Sequence, residues 1–311
     1  MARRLVTMFG GSGFIGRHLV RKLAAEGWRV RVAGRDPEGA LFLKPMGDVG
    51  QIALAQADVR DAASVAQAVA GADAVVNLVA ILHETPWRTF PAIHVEGAAN
   101  IARAAAKARV ARLVHVSAIG ADAESPAAYG RTKAAGEQAA RAAFPGATIV
   151  RPSIVFGAED QFFNRFAAMA RVSPALPVIA GTTRFQPVFV EDVAEAIRRC
   201  LADPATAGRT FELGGPRTYT FRELLAYILR VIRRRRCLVP VPGPLAMLQA
   251  SVLELLPVPP LTRDQVLMLR TDNVVAQGAE GFATLGIRPA AVEAVVPEYL
   301  ARYRKPVPEA A

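Results

Sequence analysis

Leu5-Val6-Thr7-Met8-Phe9-Gly10-Gly11-Ser12-Gly13-Phe14-Ile15-Gly16 is the stretch that decides how this chain folds. An apolar run meets a set of spaced glycines, and a helical pattern begins at Phe14. A strand that turns through Gly10, Gly13 and Gly16 into a helix leaves the first N–H groups of that helix without partners. The glycines tighten the turn, let the backbone approach an anion, and let the helix sit close to the strand. The anion this arrangement cradles is a pyrophosphate, held at the positive end of the helix dipole. A lone GxGxxG is weak evidence, but here the strand before it and the helix after it supply the confirming context. Gly10, Gly13, Phe14, Ile15 and Gly16 are the first candidate nucleotide contacts.

Outward from that loop, short apolar runs at 5–9, 29–33, 52–56, 74–78, 113–117 and 147–151 read as buried strands. Ala-rich helical windows at 14–26, 92–107 and 133–144 lie between them. Strands alternating with helices of this length predict βαβ crossovers. The fold class is α/β, a Rossmann-type doubly wound parallel sheet. After Pro152 prolines become frequent and strands shorten, with helices expected at 191–203 and 221–230. The division expected is a nucleotide-binding core at 1–152 and a smaller C-terminal lobe at 153–311 that shapes a substrate cleft. Segments on either side of Val188 are expected to return to the main sheet, leaving one compact unit.

The 311 residues suffice for a large core, and an apolar fraction of 52% against 21% charged argues against disorder. A net charge of +11 favours anionic partners such as nucleotides or an anionic membrane surface. Nucleic acid is disfavoured, because no aromatics are interleaved with the basic residues. Cys200 and Cys237 are far apart and read as ordinary buried or half-buried thiols of a reducing compartment. An apolar strand begins by Leu5, so no leader segment is expected, and the apolar stretch 237–261 is broken by six prolines and is no membrane span. The expected location is cytoplasmic.

Two acidic or basic positions near strand ends choose the nucleotide. The second strand ends Val32-Ala33-Gly34-Arg35-Asp36. An acid at the strand tip holds both ribose hydroxyls of NAD, whereas an Arg pairs with the 2′-phosphate of NADPH. Placing the tip at Gly34 makes Arg35 the deciding residue and NADPH the expected cofactor; a longer strand would bring Asp36 there and favour NAD(H). After the third strand, Asp58 and Val59 are placed for the adenine, with Asp61 as a helix N-cap.

Ser117 closes the fifth strand, and Tyr129 precedes Lys133 by four residues, one helical turn on the same face. A phenol that exchanges a proton with a carbonyl or alcohol needs its pKa lowered, which a nearby ammonium does, while a Ser hydroxyl fixes the substrate oxygen. Ser117, Tyr129 and Lys133 are the candidate catalytic set, with Tyr129 and Lys133 also reaching the nicotinamide ribose.

The glycine loop, Asp58, Ser117, Tyr129 and Lys133 together resemble the extended short-chain dehydrogenase/reductase superfamily over essentially the whole chain. That resemblance implies that Arg151-Pro152-Ser153-Ile154-Val155-Phe156-Gly157 holds the nicotinamide amide, making Pro152 and Ser153 cofactor contacts. It extends to Leu285-Gly286-Ile287-Arg288-Pro289. A narrower resemblance rests on Pro45-Met46-Gly47-Asp48-Val49-Gly50-Gln51, residues 129–137, Phe156-Gly157-Ala158-Glu159-Asp160 and Thr262-Arg263-Asp264. These are similar to the dehydrogenase-like, NADPH-binding accessory subunits of respiratory complex I and their bacterial relatives. The resemblance implies NADPH as a structural element and complex I subunits as partners. A related branch, linked with ubiquinone biosynthesis, implies the alternative of a reductase or dehydrogenase acting on a lipophilic carbonyl. Sugar-nucleotide epimerisation is a weaker alternative, since only eleven residues separate Ser117 from Tyr129, fewer than in those enzymes. His94 stands where extended family members commonly carry the Asn of a proton relay.

His18, His83, His94 and His115 share no metal-ligand spacing. His115 reads as a satisfied core histidine. Arg233-Arg234-Arg235-Arg236 reads as a basic helix end, or as a contact for anionic lipid beside an amphipathic segment at 244–256. Trp28 and Trp87 carry no sign of a special role.

Overall fold

β1 (Leu5–Phe9) is an interior strand of a seven-stranded parallel sheet, and all of its residues but Leu5 are buried. On one side come β2 (Arg29–Gly34) and β3 (Ile52–Gln56); on the other come β4 (Ala74–Asn77), β5 (Arg112–Val116), β6 (Thr148–Pro152) and the edge strand Thr210–Leu213. The order β3-β2-β1-β4-β5-β6 is that of a doubly wound dinucleotide fold. The computed structural model describes residues 4–305.

Four helices follow these strands: α1 (Phe14–Ala25), α2 (Ala62–Val69), α3 (Gly97–Lys107) and α4 (Ala128–Ala143). Their small residues permit close approach. A Cβ on Gly136 of α4 would stand 2.2 Å from the His94 carbonyl oxygen, so only glycine lets α4 pack there. One face of the sheet buries Phe9, Val65, Val75, Ile101 and Leu113 in a continuous apolar cluster. Burying even one such side chain contributes about 1.5–3 kcal/mol.

The chain divides into two compact units: residues 4–152 with 190–213 and 276–288, and residues 153–189 with 214–275 and 289–305. The segment that rejoins the main sheet is Thr210–Leu213, paired with β6, and the helix Val190–Ala202 belongs to the same unit. The residues around Val188 do not return to the sheet as expected. Val188–Phe189 pairs with Val155–Phe156 inside the second unit, where two residues of strand suffice to satisfy a short loop. His18 and Lys22 of α1 hold Glu191 at 2.7 and 3.1 Å, which fastens the helix Val190–Ala202 to α1.

Within the second unit, Phe156, Phe163, Phe185 and Phe221 build an aromatic core with Leu224 and Ile228. The helix Phe221–Val231 starts on a capping box formed by Thr220 and Glu223. Arg233 then turns the chain with φ 54°, so the arginine run lies beyond that helix and not on its last turn. Arg234 and Arg236 donate to the carbonyls of Tyr303 and Ala170, leaving Arg233 and Arg235 exposed. The helix Gly243–Leu253 corrects the amphipathic reading. It buries Ala246 and Ala250, while Leu245, Leu248 and Val252 point outward, so both of its faces are apolar. Cys200 is buried as expected; Cys237, at the start of an exposed strand, is not.

Candidate nucleotide and catalytic site

The ends of the central strands and the loops after them border a cavity of about 470 Å³ in the first unit. Its floor is the glycine loop. Gly10 takes a φ of +79°, and a Cβ there would meet the Leu78 and Val79 backbone at 3.2–3.3 Å. Gly16 is tighter still, since its Cβ would lie 2.5 Å from the carbonyl oxygens of Gly10 and Gly11. These are the positions that demand glycine. Gly13 caps α1 without a side chain, and α1 has no acid in its first turn. The helix dipole at Phe14, Ile15 and Gly16 is therefore uncompensated by any acid of the first turn, which suits an anion, although of this loop only Gly10, Ser12 and Arg17 line the cavity.

Arg35 lines this cavity and an adjoining one of about 520 Å³. β2 ends at Gly34, so Arg35 stands just past the strand tip, and it makes no hydrogen bond or ion pair among the described residues. Asp36 lines the first cavity too, and its carboxylate accepts the Gly39 N–H at 2.9 Å, anchoring the turn at the start of the segment Glu38–Met46. Asp58 also lines the cavity but is occupied. Arg60 forks onto both of its oxygens, and that hydrogen bonding holds the carboxyl below its ordinary pKa. Any adenine contact there would share Asp58 with Arg60. Val59 is fixed by Asn100, whose amide donates to its carbonyl at 2.9 Å, and Asp61 caps α2 through the N–H groups of Ala63 and Ser64.

Ser117 follows β5, its N–H bonded to the Val150 carbonyl at 2.7 Å, and its buried Oγ has no hydrogen-bond partner among the described residues. Tyr129 and Lys133 share one face of α4. The Lys133 ammonium donates to the Val116 carbonyl at 2.9 Å, next to Ser117, and burial lowers its pKa to about 8. The expected lowering of the Tyr129 pKa is not found: burial pushes the phenol up to about 12. A charged phenolate loses more hydration in this enclosure than the neutral form does. Tyr129 thus stays protonated across the physiological range, able to donate a proton but not primed to remove one.

His94 accounts for part of that enclosure. It sits in a π-helical turn, Pro91–Glu96, stacked on Phe90 at 5.3 Å and edge-on to Tyr129 at 5.4 Å. Its Nε2 accepts the Ile81 N–H at 3.1 Å, so Nδ1 carries the proton and donates to Thr132 Oγ1 at 3.0 Å. Burial pushes its pKa down to about 3, with the Lys133 charge adding to the effect. His115 is only half satisfied. Asn77 Oδ1 accepts the Val79 N–H, so Asn77 Nδ2 donates to His115 Nδ1 at 3.0 Å and leaves the buried Nε2 without a partner.

Pro152 ends β6, where its carbonyl accepts the Ile119 N–H at 3.0 Å. Ser153 belongs to the second unit and donates to Asn273 Oδ1 at 2.7 Å, a loop-bracing bond. Among the cavity residues that escaped the sequence reading are Arg17, Phe42 and Arg88. Arg17 directly follows Gly16, which is a signal that was there to use. Arg88 lies on a loop with no periodic pattern and left none. No His, Cys, Asp or Glu cluster suited to a metal occurs among the described residues.

The model of the NAD dependent epimerase/dehydratase family matches residues 6–214. The NADH-ubiquinone oxidoreductase 40 kDa subunit, mitochondrial, of Neurospora crassa is 37% identical over 299 residues, 96% of this chain and 79% of that one. Subunit 9 of the NADH dehydrogenase (ubiquinone) 1 alpha subcomplex, mitochondrial, of Mus musculus is 35% identical over 306 residues, 96% and 80% of the two chains. Ceramide reductase of Caulobacter vibrioides is 32% identical over 246 residues, 78% and 75%. In fold, the chain is similar to DesIV, a dTDP-glucose 4,6-dehydratase of Streptomyces venezuelae crystallised with NAD and TYD, at a TM-score of 0.72 and 21% identity over 96% of each chain.

Proposed function

The chain belongs to the NAD dependent epimerase/dehydratase family, and from that premise we propose that it holds NADPH as a structural element and serves respiratory complex I as an accessory or assembly factor. One observation carries the nucleotide half: Arg35 stands unpaired at the tip of β2 while Asp36 is committed to Gly39. An Arg there attracts a 2′-phosphate, while the Asp36 carboxylate already accepts the Gly39 N–H. The relatives from Neurospora and mouse, both named as subunits of that respiratory enzyme, support the partner. For such a role we propose a cytoplasmic location, peripheral on the inner face of the membrane. Exposed Arg233 and Arg235 and the outward apolar side chains of the helix Gly243–Leu253 support an additional contact with anionic lipid. No helix among the described residues is long and apolar enough to cross a membrane.

Replacing Arg35 with Asp is expected to reverse the nucleotide preference, because attraction for the 2′-phosphate becomes repulsion. Wild type should prefer NADPH by at least tenfold, about 1.4 kcal/mol, by calorimetric titration of both nucleotides. A wild-type preference for NADH would remove the NADPH assignment.

A second reading has its own support. Ser117 Oγ is buried with no hydrogen-bond partner among the described residues, protonated Tyr129 can donate a proton, and one relative is named a ceramide reductase. That reading is an NADPH-dependent reduction of a lipophilic carbonyl, with Ser117 binding the carbonyl oxygen, Tyr129 protonating it, and Lys133 holding the ribose. Complementation of a deletion strain by Tyr129→Phe separates the two, scored by respiration on NADH and by quinone content. A binding role expects full rescue by Tyr129→Phe and none by Gly13→Val. Failure of a folded, NADPH-loaded Tyr129→Phe protein to rescue would transfer the assignment to the reductase.

A further inference from the structure

The turn that carries Arg88 is built, not slack. Thr85 and Arg88 exchange both main-chain hydrogen bonds at 3.0 Å, with Pro86 and Trp87 at the tip. Glu84 accepts the Phe90 N–H at 2.6 Å and closes the base. Arg60, already forked onto Asp58, also donates to the Trp87 carbonyl, which ties the turn to the end of β3. On this support Arg88 reaches the wall of the nucleotide cavity together with Val79, Ala80 and Ile81.

The Arg88 Nε is buried and has no hydrogen-bond partner among the described residues. A buried donor on a cation is costly to leave unmade. The two carboxylates of the cavity cannot supply the partner, since Asp36 is held by Gly39 and Asp58 by Arg60. What remains is an anion brought by the ligand. Of the anionic groups on the nucleotide, the 2′-phosphate belongs at the tip of β2, beside Arg35. The pyrophosphate lies on the glycine loop, and Gly10 of that loop packs against the backbone of Leu78 and Val79, which opens the segment leading to Arg88.

We propose that Arg88 is a pyrophosphate clamp, reaching in from the segment after β4 and slowing nucleotide release so that NADPH behaves as a resident part of the fold. This rests on the reading of the protein as an NADPH holder and adds the residue that makes retention long-lived.

The experiment compares full-length wild type with Arg88→Ala and Arg88→Gln. Titrations use NADPH, NADH and adenosine 2′-monophosphate, and nucleotide fluorescence after dilution follows release. Loss of a charge-assisted bond should weaken NADPH and NADH by the same factor, about ten- to a hundredfold, with release accelerated to match. Adenosine 2′-monophosphate, which lacks the pyrophosphate, should bind the variants as it binds wild type. Arg35→Ala should show the opposite pattern, weakening NADPH and the monophosphate but sparing NADH. Unchanged affinity and release in a folded Arg88→Gln protein would overturn the clamp alone, as would a loss confined to NADPH. Wild type that binds neither dinucleotide would instead overturn the nucleotide reading itself, and the clamp with it. Should Arg88→Ala fail to fold, Arg88→Gln, which keeps polar reach and loses only the cation, carries the comparison.

Discussion

Saturating NADPH is expected to raise the melting temperature of the wild-type protein by about 4 °C. A ligand that binds only the native state adds about 2.7 kcal/mol at a hundred times its dissociation constant, and with about 2.1 cal/mol/K of unfolding entropy per residue a 311-residue chain gains about 1.5 °C per kcal/mol. Two glycine variants separate the ligand term from the fold. Gly13 has ordinary extended backbone angles, φ −73° and ψ −177°, and its Cβ would meet only the Gly10 carbonyl, at 3.1 Å. Gly13→Val should therefore fold with a modest loss, yet fill the space before the α1 N–H groups and erase the NADPH-dependent rise. Gly16→Val should lower the melting temperature of the nucleotide-free protein itself, because two backbone oxygens stand 2.5 Å from the new Cβ and neither can move without parting α1 from β1. Differential scanning calorimetry with and without nucleotide checks all three proteins. An identical wild-type melting temperature in both conditions would end the structural-cofactor idea.

How far the sequence could be read follows from the range over which each signal acts. β1 and β3 begin and end where their apolar runs do: β1 is buried along nearly its whole length, while β3, at the sheet edge, stops at exposed Gln56. The glycine loop was legible for a related reason, since steric limits at Gly10 and Gly16 are local and exclude every other residue. What failed were pairings between distant segments. Nothing in the sequence near His94 announces that its Nε2 will accept from Ile81, or that a π-helical turn will replace the first turn of the expected helix at 92–107. Ser153 gave no warning that Asn273 would hold it, and Arg60, although only two residues from Asp58, was a local pairing that the sequence reading passed over. The Tyr129 pKa failed for a different cause. Spacing places Lys133 near the phenol but does not say how completely both will be desolvated, and here burial raises the phenol and lowers the ammonium.

Acidification from pH 7.5 to pH 5 is expected to destabilise the protein through its buried histidines. In the native state His94 stays neutral down to about pH 3, whereas in the unfolded chain it titrates near 6.5. Burial depresses His115 in the same direction, with the Lys133 charge as the second cause. Below pH 6.5 the unfolded chain therefore takes up protons that the native state refuses, so stability falls as pH falls. At pH 5, about 1.5 units below the unfolded value, His94 alone accounts for about 2 kcal/mol, and His115 adds to it. Carboxylates held below their ordinary range, such as Glu195 at about 2 beside Arg198, weaken the fold only under more acidic conditions, which leaves the window from 6.5 to 4.5 to the histidines. Urea titrations at a series of pH values measure the slope, and His94→Asn should flatten it by removing one of the titrating groups. A wild-type stability constant from pH 7.5 to 5, or a full slope retained in His94→Asn, would count against the assignment. The effect is tied to the functional site because only the neutral native Nε2 accepts the Ile81 N–H, and Ile81 lines the nucleotide cavity. NADPH, by binding the native wall, should move the midpoint of the acid transition downward, coupling nucleotide retention to proton uptake at a residue that never touches the nucleotide.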